Sequence, residues 1–341
     1  MLSKIFEALY LKVLVNIIVK RATIVVYVEL HSKKGAIDNV NAEFETITPN
    51  EKMIDFINSY VKESPYYYIS ILDYASIQGA LPTCDKHRIP YYTDLSDSEY
   101  KCYNNSWIYY TSKTQLYEIE KTYKSIGIDF IFSPFVILAD FFKDKIIGKI
   151  ALYALVQEGY VSIAVFQQGE LLYAEHLDMQ ANTEVEDILL TNDLSDDIDL
   201  DIDDGGIDLE NIDVEDEGTE LEDFGNIEDL DSMEDIDEFD DSKDVEEELL
   251  ESVDTLEEST EGSFNEDYQR FSLIQTSISH YYKDERYKSQ FLENMYIADA
   301  VGVSSDLKKY LEEEMFLNVY IRHTELDAEV CELAKEELGL L

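Results

Sequence analysis

The sequence is poor in positive charge. Its 26 Lys and Arg stand against 75 Asp and Glu, giving a formal net charge of −49 at pH 7. Neutralising phosphates requires clustered basic side chains, so this balance excludes a nucleic-acid-binding protein. Cysteine is scarce as well: Cys84, Cys102 and Cys331 are the whole set, with no CxxC pair. That spacing supplies neither a disulfide framework nor a zinc site, and the expectation is three reduced thiols in a cytoplasmic protein. The five His residues, at 31, 87, 176, 280 and 323, form no ligand pattern. No P-loop, GxGxxG, HExxH or GxSxG occurs. Long uncharged apolar runs are missing too. Lys12, Lys20 and Arg21 interrupt the apolar stretch from Leu11 to Leu30, which has no signal-peptide layout and reads as two strands.

What is present is enough for a packed core. Hydrophobic residues make up 45% and aromatics 12% of 341 residues, room for two domains. The acidity is segregated. From Glu184 to Asp267 lie about 39 of the acidic residues and a single basic one, Lys243, so the remainder is only mildly acidic. Like charges at that density repel, and the interleaved Ile and Leu offer too little apolar surface to offset the ordering entropy. Residues 184–266 are therefore expected to be disordered. They act either as a solubilising linker or as a docking segment in which Ile, Leu, Phe224 and Phe239 meet a basic or apolar groove. Asp199, Asp201, Asp203 and Glu210 fall at calcium-loop positions, but Asp204 stands where the turn needs glycine, and no metal is expected.

Periodicity orders the rest. Val13–Val19 and Thr23–Leu30 are β-branched runs joined at Lys20-Arg21-Ala22, a hairpin. Lys33-Lys34-Gly35 turns the chain into a third strand from Ala36 to Thr46. A helix follows from Thr48-Pro49-Asn50-Glu51, then a strand over Tyr66–Leu72 and an irregular polar stretch from Leu81 to Ser98. Ser106–Thr111 is a strand, Thr114–Ser125 a helix capped at Gly127, Ile128–Phe132 a strand, and Pro134–Phe142 an apolar helix. Three strands come next, at Ile150–Leu155, Tyr160–Phe166 and Glu170–Leu177. The last two form a hairpin at Gln168-Gly169. Beyond Asp267 the pattern gives a helix through Phe271, Ile274, Ile278 and Tyr281, a strand over Phe291–Ala298, a helix capped by Ser304 or Ser305, a strand over Leu317–Ile321, and a final helix opened by a Thr324/Asp327 capping box. Paired tyrosines at 66–68, 91–92 and 109–110 read either as a recognition surface or, the better reading for strand pairs, as one ring packed in a core with its neighbour facing water.

This order of elements resembles a known family. The three-strand opening, the αβ unit, Trp107-Ile-Tyr-Tyr-Thr111, Ser125-Ile-Gly-Ile128 and Ser133-Pro-Phe-Val-Ile-Leu-Ala139 resemble the first half of the actin-like PilM proteins. The run from Gly159 to His176 looks like the hairpin opening their second half, and Asn294 to Tyr320 like their late strand-loop-helix-strand. The likeness covers about 10–180 and 267–341. It implies a two-lobed actin-like α/β fold: residues 1–148 as the first lobe, with a β-α-β unit at about 66–133, and 149–183 with 267–341 as the second. The acidic insertion 184–266 then stands where the family has a small subdomain, one wall of the nucleotide cleft.

The three nucleotide-binding turns of that fold depart from the pattern. Lys20, Arg21 and Ala22 replace Asp and small residues at the first. Gln157-Glu158-Gly159-Tyr160 replaces Asp-x-Gly-Ser/Thr at the second. Ala298-Asp299-Ala300-Val301-Gly302 lacks paired glycines at the third. A phosphate site needs close backbone N–H approach and no like charge. The expectation is a pseudo-ATPase without cofactor, used as a cytoplasmic scaffold peripheral to the inner membrane. The resemblance implies a partner: the cytoplasmic tail of a PilN-like single-pass membrane protein, itself paired with a PilO-like protein, within a multi-copy assembly. The cytoplasmic part of the secretion protein GspL is related. The machine would be a type IV pilus, a type II secretion or DNA-uptake system, or a flagellar-motor accessory. Candidate tail-binding residues are Tyr109, Tyr110, Phe130, Phe132 and Pro134. The alternatives are a divergent working ATPase and an acidic decoy that binds basic partners through 184–266.

Overall fold

The computed structural model describes residues 10–179 and 254–340. The calcium-loop positions, Phe224, Phe239 and most of the acidic run lie outside the described residues.

β-Branched content decides the opening. β1 (Lys12–Val19) and β2 (Ile24–Ser32) form an antiparallel hairpin in which Val19 pairs with Ile24, and β3 (Gly35–Phe44) adds to β2. The Asn50 side chain accepts the Met53 amide at 2.9 Å and starts α1 (Glu51–Val61), which buries Met53 and Ile57. β4 (Tyr66–Leu72) then runs parallel to β1. After the small sheet described below, α3 (Lys113–Thr122) stops before Gly127, whose φ of +84° lets the chain turn back, and β8 (Phe130–Phe132) lies parallel to β4. The sheet order is β3-β2-β1-β4-β8.

The second half repeats this plan. β9 (Ala151–Val156), β10 (Tyr160–Gln167) and β11 (Glu170–Asp178) are an antiparallel meander, with Gln168 and Gly169 both at positive φ in the second turn. α5 (Asp254–Lys283), β12 (Asn294–Asp299), α6 (Ser305–Met315) and β13 (Asn318–His323) follow, with β12 and β13 parallel to β9. The order is β11-β10-β9-β12-β13. Two sheets of identical topology, each carrying helices on both faces, make this the two-lobed actin-like α/β fold.

Three cores stack through the molecule. α1 and α3 cover the outer face of the first sheet, burying Ile57, Ile119 and Tyr123 against Val15 and Ile69. α5 and α6 cover the outer face of the second, with Ile274, Tyr281 and Leu311 on Ile163 and Ile297. Between the sheets lie α4 (Pro134–Phe141) and the final helix α7 (Leu326–Glu337); Phe135, Leu138, Val330 and Leu333 pack there with Ile18, Leu72, Tyr153 and Phe166. α4 is buried along Pro134–Ala139, as an all-apolar helix must be. α7 follows the second sheet in sequence but reaches the first lobe, where Lys335 pairs with Glu29 of β2.

The structure corrects the sequence reading in four places. Cys84 and Cys102 are joined by a disulfide, with Cα atoms 5.6 Å apart, instead of being reduced thiols. They meet because β5 (Gln78–Leu81) and β6 (Ser98–Tyr103) pair with the expected strand β7 (Trp107–Ser112) in the order β5-β7-β6, and the stretch read as irregular, which holds the short helix α2 (Ile89–Tyr92), connects β5 to β6. This brings the loop after β5 back to β6. Only Cys331 is a free thiol among the described residues; burial, then nearby Glu29, pushes it up to about 12, so it stays protonated. Second, α5 begins at Asp254, inside the segment expected to be disordered. Third, the Thr324/Asp327 capping box does not form: Glu325 takes the N-cap position, and the Thr324 hydroxyl has no partner. Fourth, Ser98–Tyr103 is a strand, though it lies within or beside stretches read as polar connection.

Candidate functional site

Duplicated topology brings equivalent turns together. The turns after β1, β9 and β12 open onto one cleft between the lobes, about 980 Å³ in volume. The ends of strands where an open sheet changes direction are where α/β folds place ligands. Lys20, Arg21, Gln157, Glu158, Gly159 and Gly302 line the cleft; Ala298 is buried in the sheet beneath, and Asp299 sits under its own loop at 5% exposure. All three turns singled out in the sequence thus converge.

The chain's own carboxylates already engage the groups that could hold an anion there. Asp299 accepts the amides of Val301 (3.0 Å), Gly302 (2.9 Å) and Val303 (3.0 Å). Gly302, at φ +78°, allows the loop to turn these N–H groups inward as a nest. Asp267 accepts the Ser304 amide at 2.8 Å, at the N-cap of α6. The cations are likewise occupied. Arg21 of the first lobe meets Glu266 at 2.9 Å, and Arg270 meets Glu266 and Asp267, each at 2.6 Å. Lys20 lies 3.4 Å from Glu43, whose carboxyl is held below its usual range by the Thr23 hydroxyl and then by Lys20. Glu266 therefore stands where it joins Arg21 of the first lobe to Arg270 of the second. Sequence reasoning left Glu266 in a disordered segment, and no local signal showed that Arg21 would neutralise it. The cleft wall expected to be lost to disorder is supplied in part by α5.

The second turn is spacious: a Cβ on Gly159 would meet only the Arg21 Cγ, at 3.9 Å. The Tyr160 ring, which stands where the nucleotide-binding pattern has Ser or Thr, stacks on His176 with centroids 4.9 Å apart. Below it is a polar cluster at the junction of β4, β5 and β11. Ser162 Oγ lies 2.9 Å from His176 Nδ1, and the Gln78 amide lies 3.4 Å from His176 Nε2 and 3.2 Å from the Asp73 carbonyl oxygen. Burial lowers His176 to about 4 and raises Asp73 to about 6, the latter against the Ala75 amide and the Thr111 hydroxyl. These shifts act in opposite senses. The raised pKa of Asp73 contributes stability that is complete below its unfolded pKa and lost as pH rises through about 6. The lowered pKa of His176 contributes stability that is complete above its unfolded pKa and lost as pH falls through about 4. Urea unfolding between about pH 6.5 and pH 4 should therefore change little in the parent protein. His176→Asn should gain stability on acidification over that range, and Asp73→Asn should lose it.

The aromatic candidates divide. Alternation along β7 turns Tyr109 toward the core between the lobes, near Trp107, while Tyr110 packs with Cys84 and Tyr287 and closes over Gly79, where a Cβ would fall 2.6 Å from its hydroxyl. Phe130 stacks on Phe132 at 5.8 Å and faces Tyr68 at 6.4 Å. Phe132 and Pro134 are buried, so Tyr109 and Phe130 are the members of that core face that keep partial exposure. Among the described residues, no group of His, Cys, Asp and Glu could hold a metal, and no helix is long and apolar enough to cross a membrane.

Fold and cleft define a two-lobed actin-like protein. The chain belongs to the family described as Domain of unknown function (DUF8341), which matches residues 152–339; residues 10–139 match a second, Domain of unknown function (DUF8569). No curated protein matches the sequence. Similar solved structures include a Bacteroides thetaiotaomicron protein with an actin-like ATPase fold and unknown function (12% identity, 93% of this chain and 94% of that chain, TM-score 0.42). Another is described as a PilM-PilN type IV pilus biogenesis complex (9%, 96% and 96%, 0.45). A third is the ethanolamine utilization protein EutJ from Carboxydothermus hydrogenoformans (8%, 93% and 87%, 0.39).

Proposed function

We propose that the protein is a non-catalytic scaffold in an envelope-spanning machine, a pseudo-ATPase that works through surface contact. One observation supports this above the rest: Asp299 and Asp267 occupy the amides, and Glu266 the arginines, on which a nucleotide's phosphates would depend. A triphosphate entering the cleft would have to displace buried carboxylates and would meet Glu158 and Asp327 as like charge. The sequence resemblance to PilM-like proteins suggests the partner, the cytoplasmic tail of a PilN-like single-pass membrane protein. The scaffold would then lie at the cytoplasmic face of the inner membrane, in many copies and held there by that tail. The half-exposed Tyr109 and Phe130 are its candidate contacts.

Calorimetry of the full chain with Mg·ATP should give no heat of binding; micromolar affinity would overturn the pseudo-ATPase reading. Tagged protein expressed in its native cell should co-purify with a single-span membrane protein. Recovery with soluble proteins alone would argue against the scaffold reading.

A further inference from the structure

We infer that the interlobe cleft receives a Lys- or Arg-rich segment of a partner polypeptide. The inference rests on the scaffold reading and specifies the chemistry of its partner.

Two independent features of the cleft point this way. The first is charge. Carboxylates outnumber cations around it seven to three, and the three cations, Lys20, Arg21 and Arg270, are held in internal ion pairs. Glu158 and Glu325 have no basic partner among the described residues, and Asp327 accepts the neutral Asn41 side chain, at 2.7 Å, and the Ala328 amide while Lys20 acts on it from further off. Burial, and then the neighbouring charge of Glu325, hold the Asp327 carboxyl above its usual range against the backbone amides and the more distant charge of Lys20. The second feature is unmet hydrogen bonding. Gln157 Nε2, Arg270 Nε and the Thr324 hydroxyl belong to cleft-lining residues and lack partners; Arg270 and Thr324 are each 4% exposed. Buried polar atoms left alone are costly, so such atoms beside a cavity call for a ligand that brings acceptors.

A polypeptide carries both complements. Its carbonyl oxygens suit the unmet donors, and its ammonium or guanidinium groups suit the carboxylates. Its long aliphatic stems can lie along Ile18, Val25 and Leu326, and its cations over the faces of Tyr74 and Tyr160. A nucleotide brings the wrong charge. A free polyamine brings the right charge but no carbonyl groups. The chain flanking a membrane span on its cytoplasmic side is enriched in Lys and Arg, which is the composition this cleft would accept.

The test uses the full chain and a fluorescent peptide of about ten residues alternating Lys and Ala, read by anisotropy at about 0.15 M salt, where long-range attraction to the acidic segment is damped. The cleft variant Glu158→Gln/Glu325→Gln/Asp327→Asn should bind about tenfold more weakly, as expected for the loss of three partly exposed pairs. The control Asp199→Asn/Asp201→Asn/Asp203→Asn, in the acidic run of the sequence, should bind as the parent does. Spermidine should compete only weakly, and a Glu-Ala peptide should not bind. The Lys-Ala peptide should also slow hydrogen exchange of the amides at 157–160. Equal affinity of cleft variant and parent, equal weakening in the control, or no change in exchange would each overturn the inference. A membrane partner that still co-purifies with the cleft variant would overturn it while leaving the scaffold reading intact. Cleft binding of the peptide with no membrane partner recovered would do the reverse.

Discussion

Asp299→Ala is expected to lower stability by about 3 kcal/mol and at the same time to create a binding site for inorganic phosphate. The wild-type side chain is 5% exposed and accepts three successive amides. Its removal leaves those donors without an acceptor, at about 1–3 kcal/mol for each one that water cannot reach. The alanine variant keeps the backbone nest, with Gly302 at positive φ, and removes the negative charge that fills it. Millimolar phosphate or pyrophosphate should then raise the melting temperature of the variant and leave that of the parent unchanged, because only a species that binds the folded state shifts the equilibrium. Asp299→Asn should be milder, since one carbonyl oxygen remains. If phosphate stabilises the parent as much as the alanine variant, the nest is accessible to ligands and the pseudo-ATPase reading loses its main support.

Legibility in the sequence followed the range of the interactions. Local rules located a helix start at Thr48-Pro49-Asn50-Glu51 (the cap falls on Asn50, so Pro49 precedes the first turn), Gly127 as a stop, Gln168-Gly169 as a hairpin turn and the β-branched runs of β1 and β2, because each depends on neighbours within a few residues. The three cleft turns were legible through the family resemblance, which implies where a nucleotide's phosphates would lie, and composition then shows what the turns after β1, β9 and β12 lack. The ion pair between Arg21 and Glu266 spans 245 residues, and nothing near either residue announces it. Like-charge repulsion argued for disorder up to residue 266. Two arginines and the amide of Ser304 outweigh it at the end of that segment, and α5 extends back to Asp254. The Cys84–Cys102 bond escaped detection because the two residues lie 18 apart and meet only once β5 and β6 both pair with β7, which no neighbouring residue announces. Thr324 satisfied the composition of a cap, but α7 starts one residue later, and the freed hydroxyl remains at the cleft.

Lys335→Ala should be among the most damaging single substitutions, at about 3–5 kcal/mol. Lys335 is 5% exposed on α7, and its ammonium bonds to Glu332 and lies 3.2 Å from Glu29 of β2. Glu29 is itself 4% exposed and has one other close partner, the imidazole of His31 at 3.1 Å. Truncating the lysine leaves a carboxylate buried without its cation, and for a domain whose total stability is about 5–15 kcal/mol that is a large fraction. Replacing both partners with apolar residues of similar size, Glu29→Leu with Lys335→Met, should restore most of the loss, because the cost arises from the uncompensated charge and not from the absence of the bond. Urea unfolding of the two single variants and the double measures the coupling. If the singles lose less than about 1 kcal/mol, water reaches Glu29 and the pair behaves as a surface bridge. The same pair bears on function. α7 is fastened to the first lobe at one end by Lys335 and Glu29 and at the other by Asn41 and Asp327, and its first turn presents Glu325 and Asp327 to the cleft. Loosening the far end should shift that wall, so Lys335→Ala is expected to weaken binding of the Lys-Ala peptide under conditions where the protein remains folded, and the double variant to recover it.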